Sequence, residues 1–339
     1  MLRVGIIGLG FMGRMHYRCW TALEDVQVVA LCDANRNIIE DSKQAGGNIE
    51  GASDAFDFDA VSLYHDVDEM LQKEDLDAIS IALPTHLHMQ TTVKALEAGC
   101  HVLCEKPMAL NVDECNTMIA AAKETGKTLQ IGQCIRFWPE YAYAKEVVES
   151  GRYGSCQAAR FTRLSSPPGW SAEGWLLDTA RSGGMVIDLH IHDTDFVHYL
   201  FGMPQVVRSF GVRDQGGGFG HVVTHYGYED DKVVSAEGGW LMMASFGFEM
   251  SFHIALEKAT LVYDCTQSPA FRVCPADGEA FAPDLRAGDG YSAEIEHFAK
   301  VIQGEDLAPV ASLEQCRDSV KIVNAEIESA DKKSAISLK

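Results

Sequence analysis

LRVGIIGLGFMGRMHYRCWTALEDVQVVALCD, residues 2 to 33, reads as strand, glycine turn, helix, strand and acid within the span of one βαβ unit. Arg3–Ile7 is a short apolar run rich in β-branched residues, which predicts a buried strand. Gly8, Gly10 and Gly13 follow as G-x-G-x-x-G, with Phe11 and Met12 inside the motif. Met12–Leu23 then carries apolar residues at helical spacing, and Val26–Cys32 is a second strand that ends in Asp33. Each part has a physical task. Gly8 lets the chain turn tightly, Gly10 lets a pyrophosphate approach the backbone, and Gly13 lets the helix pack closely on the sheet. The helix N-terminus presents N–H groups and a positive dipole end to phosphates. Asp33 lies about 20 residues past the last glycine, where a carboxylate accepts hydrogen bonds from a ribose 2′-hydroxyl. The same carboxylate repels a 2′-phosphate, so NAD is favoured over NADP, with Arg36 nearby as a moderating charge. A lone glycine triplet also suits an ordinary turn; strand, helix, strand and acid in their required places favour the nucleotide.

The chain has 339 residues, 47% hydrophobic and 23% charged, with a formal net charge of −21. That is the composition of a globular protein with ample core. Its charge repels nucleic-acid phosphates and anionic membranes, so neither is an expected partner. No apolar run approaches the ~18 residues of a membrane span. The N-terminal apolar run is too short for a secretory signal. Ten scattered cysteines without a C-x-x-C pattern read as reduced thiols in a cytoplasmic setting.

Beyond Asp33, strand-like and helical runs alternate without hairpin signals. A helix is expected over 36–45 and a long loop over 46–59, then strands at Ala60–Tyr64, Ala78–Leu83, His101–Cys104 and Thr128–Gly132. Helices are expected at Val67–Gln72, His86–Ala98 and from the Asn111 cap to Thr125. The pattern predicts a parallel sheet with helices on both faces, whose ligands bind beyond the carboxyl ends of the strands. After residue 140 the pattern changes. Tyr141–Ser150 and Gly184–Leu200 read as helices; Gln157–Leu164, Val206–Val212, His221–Tyr228, Val233–Trp240, Phe246–His253 and Ala259–Asp264 read as strands of a mainly antiparallel sheet. Helices at Tyr291–Gln303 and Leu313–Ala330 close the chain. The expected architecture is an α/β Rossmann domain, residues 1–125, followed by a substrate-binding and oligomerisation α+β domain, residues 126–339, whose C-terminal helix packs back on the first.

Two stretches carry candidate chemistry. Lys106 ends a parallel strand between Glu105 and Pro107, and the proline biases it towards an extended backbone. A partly desolvated lysine exchanges protons near neutrality; the plain alternative is a surface lysine. In Gly183–Asp195, a continuous helix places Asp188, His192 and Asp195 on one face, with Val186, Leu189, Phe196, Val197 and Leu200 opposite. A carboxylate one turn from a histidine orients the ring; the plain alternative is a solvated polar face. His86-x-His88 and His190-x-His192 imitate metal-ligand pairs, but i and i+2 residues of a helix face apart, so no metal is expected.

These motifs together resemble the glucose–fructose oxidoreductase/inositol dehydrogenase (Gfo/Idh/MocA) family, inositol 2-dehydrogenases in particular. The resemblance covers nearly the whole chain: the glycine motif with His16 on its helix, Leu83-Pro84-Thr85-His86-Leu87-His88, Cys104-Glu105-Lys106-Pro107, Gln133-Cys134-Ile135-Arg136-Phe137, and Gly183 through Asp195. It implies that Lys106, Asp188 and His192 act on the reacting hydroxyl. It also implies that Leu83, Pro84, His88, Glu105 and Gln133 line the nicotinamide and ribose, and that Arg136, Asp195 and Tyr291 serve the substrate side. The implied reaction is hydride transfer between NAD and a carbinol carbon of a polyol or sugar, in a homodimer or homotetramer. Thr85, Met185 and His190 stand where this family often has asparagine, glycine and a small residue. Two rivals are a glycoside lyase or hydrolase that cycles a tightly held NAD, and a nucleotide sensor without catalysis. A metal-dependent hydrolase is a third.

Overall fold

A computed structural model describes residues 1–38 and 56–339. Most of the expected 36–45 helix and 46–59 loop therefore lie outside the described residues. The chain divides into two compact units. The first comprises Met1–Cys134, Gly169–Trp175 and Gly290–Arg317; the second comprises Ile135–Pro168, Leu176–Asp289 and Asp318–Lys339.

The first unit is built on β1 (Leu2–Ile7), β2 (Val26–Cys32), β3 (Ser62–Tyr64), β4 (Ala78–Ile81), β5 (His101–Glu105) and β6 (Leu129–Gly132). They form one sheet in the order β3-β2-β1-β4-β5-β6, with every pairing parallel. β4 and the last four residues of β1 are buried throughout, as strands covered on both faces must be. Register sets the site. Ile7 pairs with Cys32 and Ile81, Ile81 with Cys104, and Glu105 with Gly132. The residues that follow each strand (Gly8, Asp33, Leu83, Lys106 and Gln133) therefore leave the sheet along one edge, where the strand order reverses at β1.

Local chemistry explains the helices. Asn111 caps Val112–Thr125 by accepting the Glu114 N–H at 2.9 Å, and Asp66 caps Val67–Lys73 through Glu69 at 2.8 Å. Each cap stabilises its helix by about 1 kcal/mol. The expected helix His86–Ala98 begins instead with a 3₁₀ turn, Thr85–Leu87, before the α-helix His88–Glu97.

The second unit holds β7 (Cys156–Ser165), β8 (Val206–Arg213), β9 (Phe219–Gly227), β10 (Val233–Gly239), β11 (Phe248–Leu256), β12 (Ala259–Asp264), β13 (Phe271–Pro275) and β14 (Ile336–Ser337). They form one eight-stranded sheet, β13-β12-β11-β7-β10-β9-β8-β14, antiparallel except for β7 with β10. β13 and β14 escape sequence reading because they are too short to show alternation. An aromatic cluster fills the core: the Tyr141 ring lies 4.7 Å from Phe196 and 5.0 Å from Phe252, edge-on to both.

The expected single helix Gly184–Leu200 is a π-helical turn, Val186–His190, followed by an α-helix, Ile191–Phe201. A π turn bonds i to i+5 and so holds one residue more than the α periodicity assumes. The stripe is rotated accordingly. Leu189, expected inside, is half-buried, and His190 is fully buried.

Candidate active site

The three glycines divide the labour unequally. Gly8 has φ +89°, and a Cβ there would lie 2.4 Å from the Ala82 carbonyl oxygen; at Gly13 it would lie 2.0 Å from the Gly8 oxygen. Neither position admits a side chain. Around Gly10 nothing lies within 4 Å of the Cβ position, which leaves space for a ligand against the backbone. Helix Phe11–Thr21 starts there with no side chain capping it, so its first N–H groups are disposed to meet an anion. Asp33 accepts the Leu9 N–H on Oδ2 and the Asn35 N–H on Oδ1, each at 2.9 Å. Its carboxylate is thereby tied to the glycine turn. It lines a cleft with Ala34, His65, Leu83, Leu87 and Thr91.

At the exit of β5 a relay holds Glu105. The Trp20 indole N–H donates to Ser80 Oγ at 2.9 Å, Ser80 Oγ lies 3.0 Å from His16 Nδ1, and His16 Nε2 lies 2.9 Å from Glu105 Oε1. An indole can only donate and a carboxylate can only accept. Nε2 therefore donates to Glu105, and Ser80 Oγ, which accepts the indole N–H, bridges Trp20 to the other ring nitrogen. The other carboxylate oxygen accepts the Lys106 N–H at 3.1 Å. Burial alone would raise the Glu105 pKa, but the bond from His16, with the interactions of His16, Lys106 and His88, outweighs it and holds the carboxyl below its ordinary value. Lys106 itself is half-buried.

His88 ties two strand exits together. Its Nδ1 lies 2.8 Å from the Pro107 carbonyl oxygen and its Nε2 2.8 Å from that of Leu83. Burial lowers its pKa, while the two carbonyls and Glu105 pull the other way. Gln133, at the exit of β6, is 1% exposed, and neither polar atom of its amide has a hydrogen-bond partner. A buried amide without partners is the group that a ligand completes. Pro84 precedes the Thr85–Leu87 turn, and Tyr291 lies in the first turn of helix Gly290–Ile302, which meets helix Phe11–Thr21 through Trp20 and Phe298.

The second unit holds Arg136, Asp188, His192 and Asp195. Asp188 on the π turn and His192 on the following α turn are half-buried. Asp195 differs from both, being fully buried. It forms a bidentate pair with Arg136, Nε to Oδ2 and Nη2 to Oδ1 at 2.8 Å each, and accepts the Ser319 hydroxyl at 2.7 Å. The structure thus brings these two candidates together against each other, with the guanidinium 4.3 Å over the Tyr199 ring. The neighbours of Asp195 are also held. Asp193 pairs with Arg163 at 2.8 Å, and Thr194 donates to Glu326 at 3.0 Å. His190 Nε2 lies 3.3 Å from Glu326 Oε2, both side chains fully buried. Gly238 makes room for that ring, since a Cβ there would lie 2.5 Å from His190 Nδ1.

Comparison with known proteins decides the lineage. Residues 2–133 match the oxidoreductase family with an NAD-binding Rossmann fold, and residues 141–262 match the GFO/IDH/MocA C-terminal domain. The chain belongs to the GFO/IDH/MocA oxidoreductase family. It carries the NAD-binding Rossmann domain of that family. It is 26% identical to myo-inositol 2-dehydrogenase of Thermotoga maritima, over 99% of this chain and 98% of the relative. It is 30% identical to 2,7-anhydro-N-acetylneuraminate hydratase of Mediterraneibacter gnavus, over 67% of this chain and 56% of the relative. Two further curated relatives are spanned over only 58% and 53% of their length. Levoglucosan dehydrogenase in complex with NADH and L-sorbose superposes with a TM-score of 0.82 over 100% of this chain and 99% of that one, at 22% identity, and shares the fold.

Within this GFO/IDH/MocA chain, sequence reasoning missed the residues that hold others in place. Ser80, Trp20 and Glu326 carry no motif. His16 stood in a quoted motif, but its bond to Glu105 spans 89 positions and leaves no local signal. All ten cysteines are thiols outside any disulfide. Burial raises several, Cys32 to about 12 and Cys100 to about 11, which makes them inert at neutral pH. Among the described residues no helix is long and apolar enough to cross a membrane.

Proposed function

We propose that this chain is an NAD-dependent dehydrogenase that oxidises a CH–OH group of a polyol or sugar. The observation that carries the reading is the strand-exit edge of the first unit. Lys106 stands there on a backbone pinned by buried Glu105, and on the adjacent strand the Gln133 amide lacks partners. The open space at Gly10 and the acid at Asp33 fit a dinucleotide with a free 2′-hydroxyl. Bound NAD supplies the hydride acceptor. This chain's residues supply the rest. Gly8, Gly10, Gly13 and the N-terminal turn of Phe11 and Met12 hold the pyrophosphate. Asp33 takes the ribose, and Leu83, Pro84, His88, Glu105 and Gln133 line the nicotinamide end. Lys106 hydrogen-bonds the substrate hydroxyl and stabilises charge on its oxygen. His192, oriented by Asp188, takes the hydroxyl proton as it leaves. Arg136, Asp195 and Tyr291 stand on the substrate side; Arg136 and Asp195 act there by stiffening the helix that carries His192.

The long-range match to myo-inositol 2-dehydrogenase supports a polyol or sugar with a vicinal diol as substrate. Exposed Phe210, Val212 and Val233 on one face of the second sheet support assembly as a homodimer or homotetramer, which light scattering measures directly. The test of function is absorbance at 340 nm with NAD and with NADP across inositols, aldoses and sugar acids. Signal with a polyol or sugar, preference for NAD and loss in Lys106→Ala support the reading. The likeness to a hydratase favours one second reading, elimination or hydration with NAD retained. Purified protein that carries nucleotide and turns over without net NADH would replace the first reading with that one.

A further inference from the structure

The segment Gly169–Trp175 belongs to the first unit although its flanking residues belong to the second. Trp170 is 40% exposed, and its ring centroid lies 5.8 Å from that of Phe11, tilted by 53°. Phe11 is the first residue of the helix that leaves the glycine turn. Beside Trp170, Ser171 is 8% exposed, and its hydroxyl is buried with no hydrogen-bond partner. Its carbonyl oxygen accepts the Gly174 N–H at 3.0 Å, and the turn is completed by Glu173 and Gly174 at φ 51° and 62°. A short turn thus presents an indole and an orphaned hydroxyl together. The indole stands against the one residue that follows Gly10, where the backbone is open.

We infer that Trp170 and Ser171 form an outer wall of the dinucleotide site. Trp170 covers the glycine turn beside Phe11, and the Ser171 hydroxyl donates a hydrogen bond to a phosphate oxygen of the bound nucleotide. The inference rests on the reading that NAD binds at Gly8–Gly13. An orphaned hydroxyl is unfavourable until an acceptor meets it, and an anionic acceptor makes the strongest bond. An aromatic cover displaces water from the pyrophosphate and strengthens each N–H contact beneath it. Neither residue touches the reacting atoms; both hold the cofactor.

The experiment is an NADH titration followed by fluorescence, with release rates from stopped-flow displacement by NAD, on the full chain. Ser171→Ala is expected to weaken NADH binding about tenfold, the effect of losing one charge-assisted hydrogen bond. Trp170→Ala is expected to release NADH about tenfold faster. Trp170→Phe is expected to keep the wild-type release rate while energy transfer from tryptophan to bound NADH falls. Melting curves of each variant separate binding from folding. Wild-type affinity and release in Ser171→Ala and Trp170→Ala would overturn the wall and leave the NAD site standing. Wild-type protein that binds neither NADH nor NADPH would overturn the site itself, and the wall with it.

Discussion

The exit of β5 and the helix that begins at Ile191 both position a candidate catalytic side chain, but they are stiffened by different means. Around Lys106 the support is a relay of polar groups, Trp20, Ser80 and His16, that ends on the single buried carboxylate of Glu105. Around His192 the support is two buried charge pairs, Asp193 with Arg163 and Asp195 with Arg136, with the buried His190 ring beside Glu326. A relay fixes one backbone position at low desolvation cost, because Trp20 and Ser80 carry no charge. Ion pairs fix a whole helix, but each leaves a costly orphan if one partner is lost. The difference teaches that the first region is tuned and the second is clamped.

The largest expected effect tests the tuned region. Lys106→Ala should lower kcat by about 10²–10⁴-fold with the melting temperature almost unchanged, since removing a proton-handling group acts on the barrier. An equal fall in stability would show that Lys106 is part of the clamp. Next comes the clamp itself. Arg163→Met leaves Asp193 buried and unpaired and should cost about 3–5 kcal/mol in a denaturant titration. Adding Asp193→Leu should recover much of that loss, whereas no recovery would remove the ion-pair account.

The glycine turn gives a smaller contrast. Gly13→Ala forces a Cβ to 2.0 Å from the Gly8 oxygen and should destabilise the protein by about 1–3 kcal/mol. Gly10→Ala meets nothing within 4 Å and should leave stability within about 0.5 kcal/mol. NADH affinity should nonetheless fall in Gly10→Ala, and unchanged affinity there would move the ligand elsewhere.

Acid provides the mildest test. Glu105 and His88 are held below their ordinary values of 4.5 and 6.5. Groups depressed on folding contribute stability above those values, which is lost as pH falls through the folded ones. Melting temperature should therefore decline on acidification below pH 6.5, and again below pH 4.5. Glu105→Gln should flatten the second decline and, by removing a charge that raises the His88 value, deepen the first.

Much of this was legible in the sequence. The parallel sheet, the glycine turn, Asp33 and the helix cap at Asn111 all follow from neighbours within one element, where periodicity and φ preference act. The π turn was not legible. It ends on His190, buried beside Glu326, a contact across the chain that α periodicity cannot register. The partners of Asp195 were not legible for a similar reason, since Arg136 and Ser319 reach it from distant segments.

The sequence by itself determined the two sheets, the nucleotide motif and the residue types that carry the chemistry, because those are written in local spacing. Only the tertiary structure decided which of those residues stand half-open and which are locked in pairs, and that the Trp170 ring lies against Phe11. Hydrogen bonds and ion pairs form between groups that folding brings together, and the chain order of such groups carries no trace of the meeting.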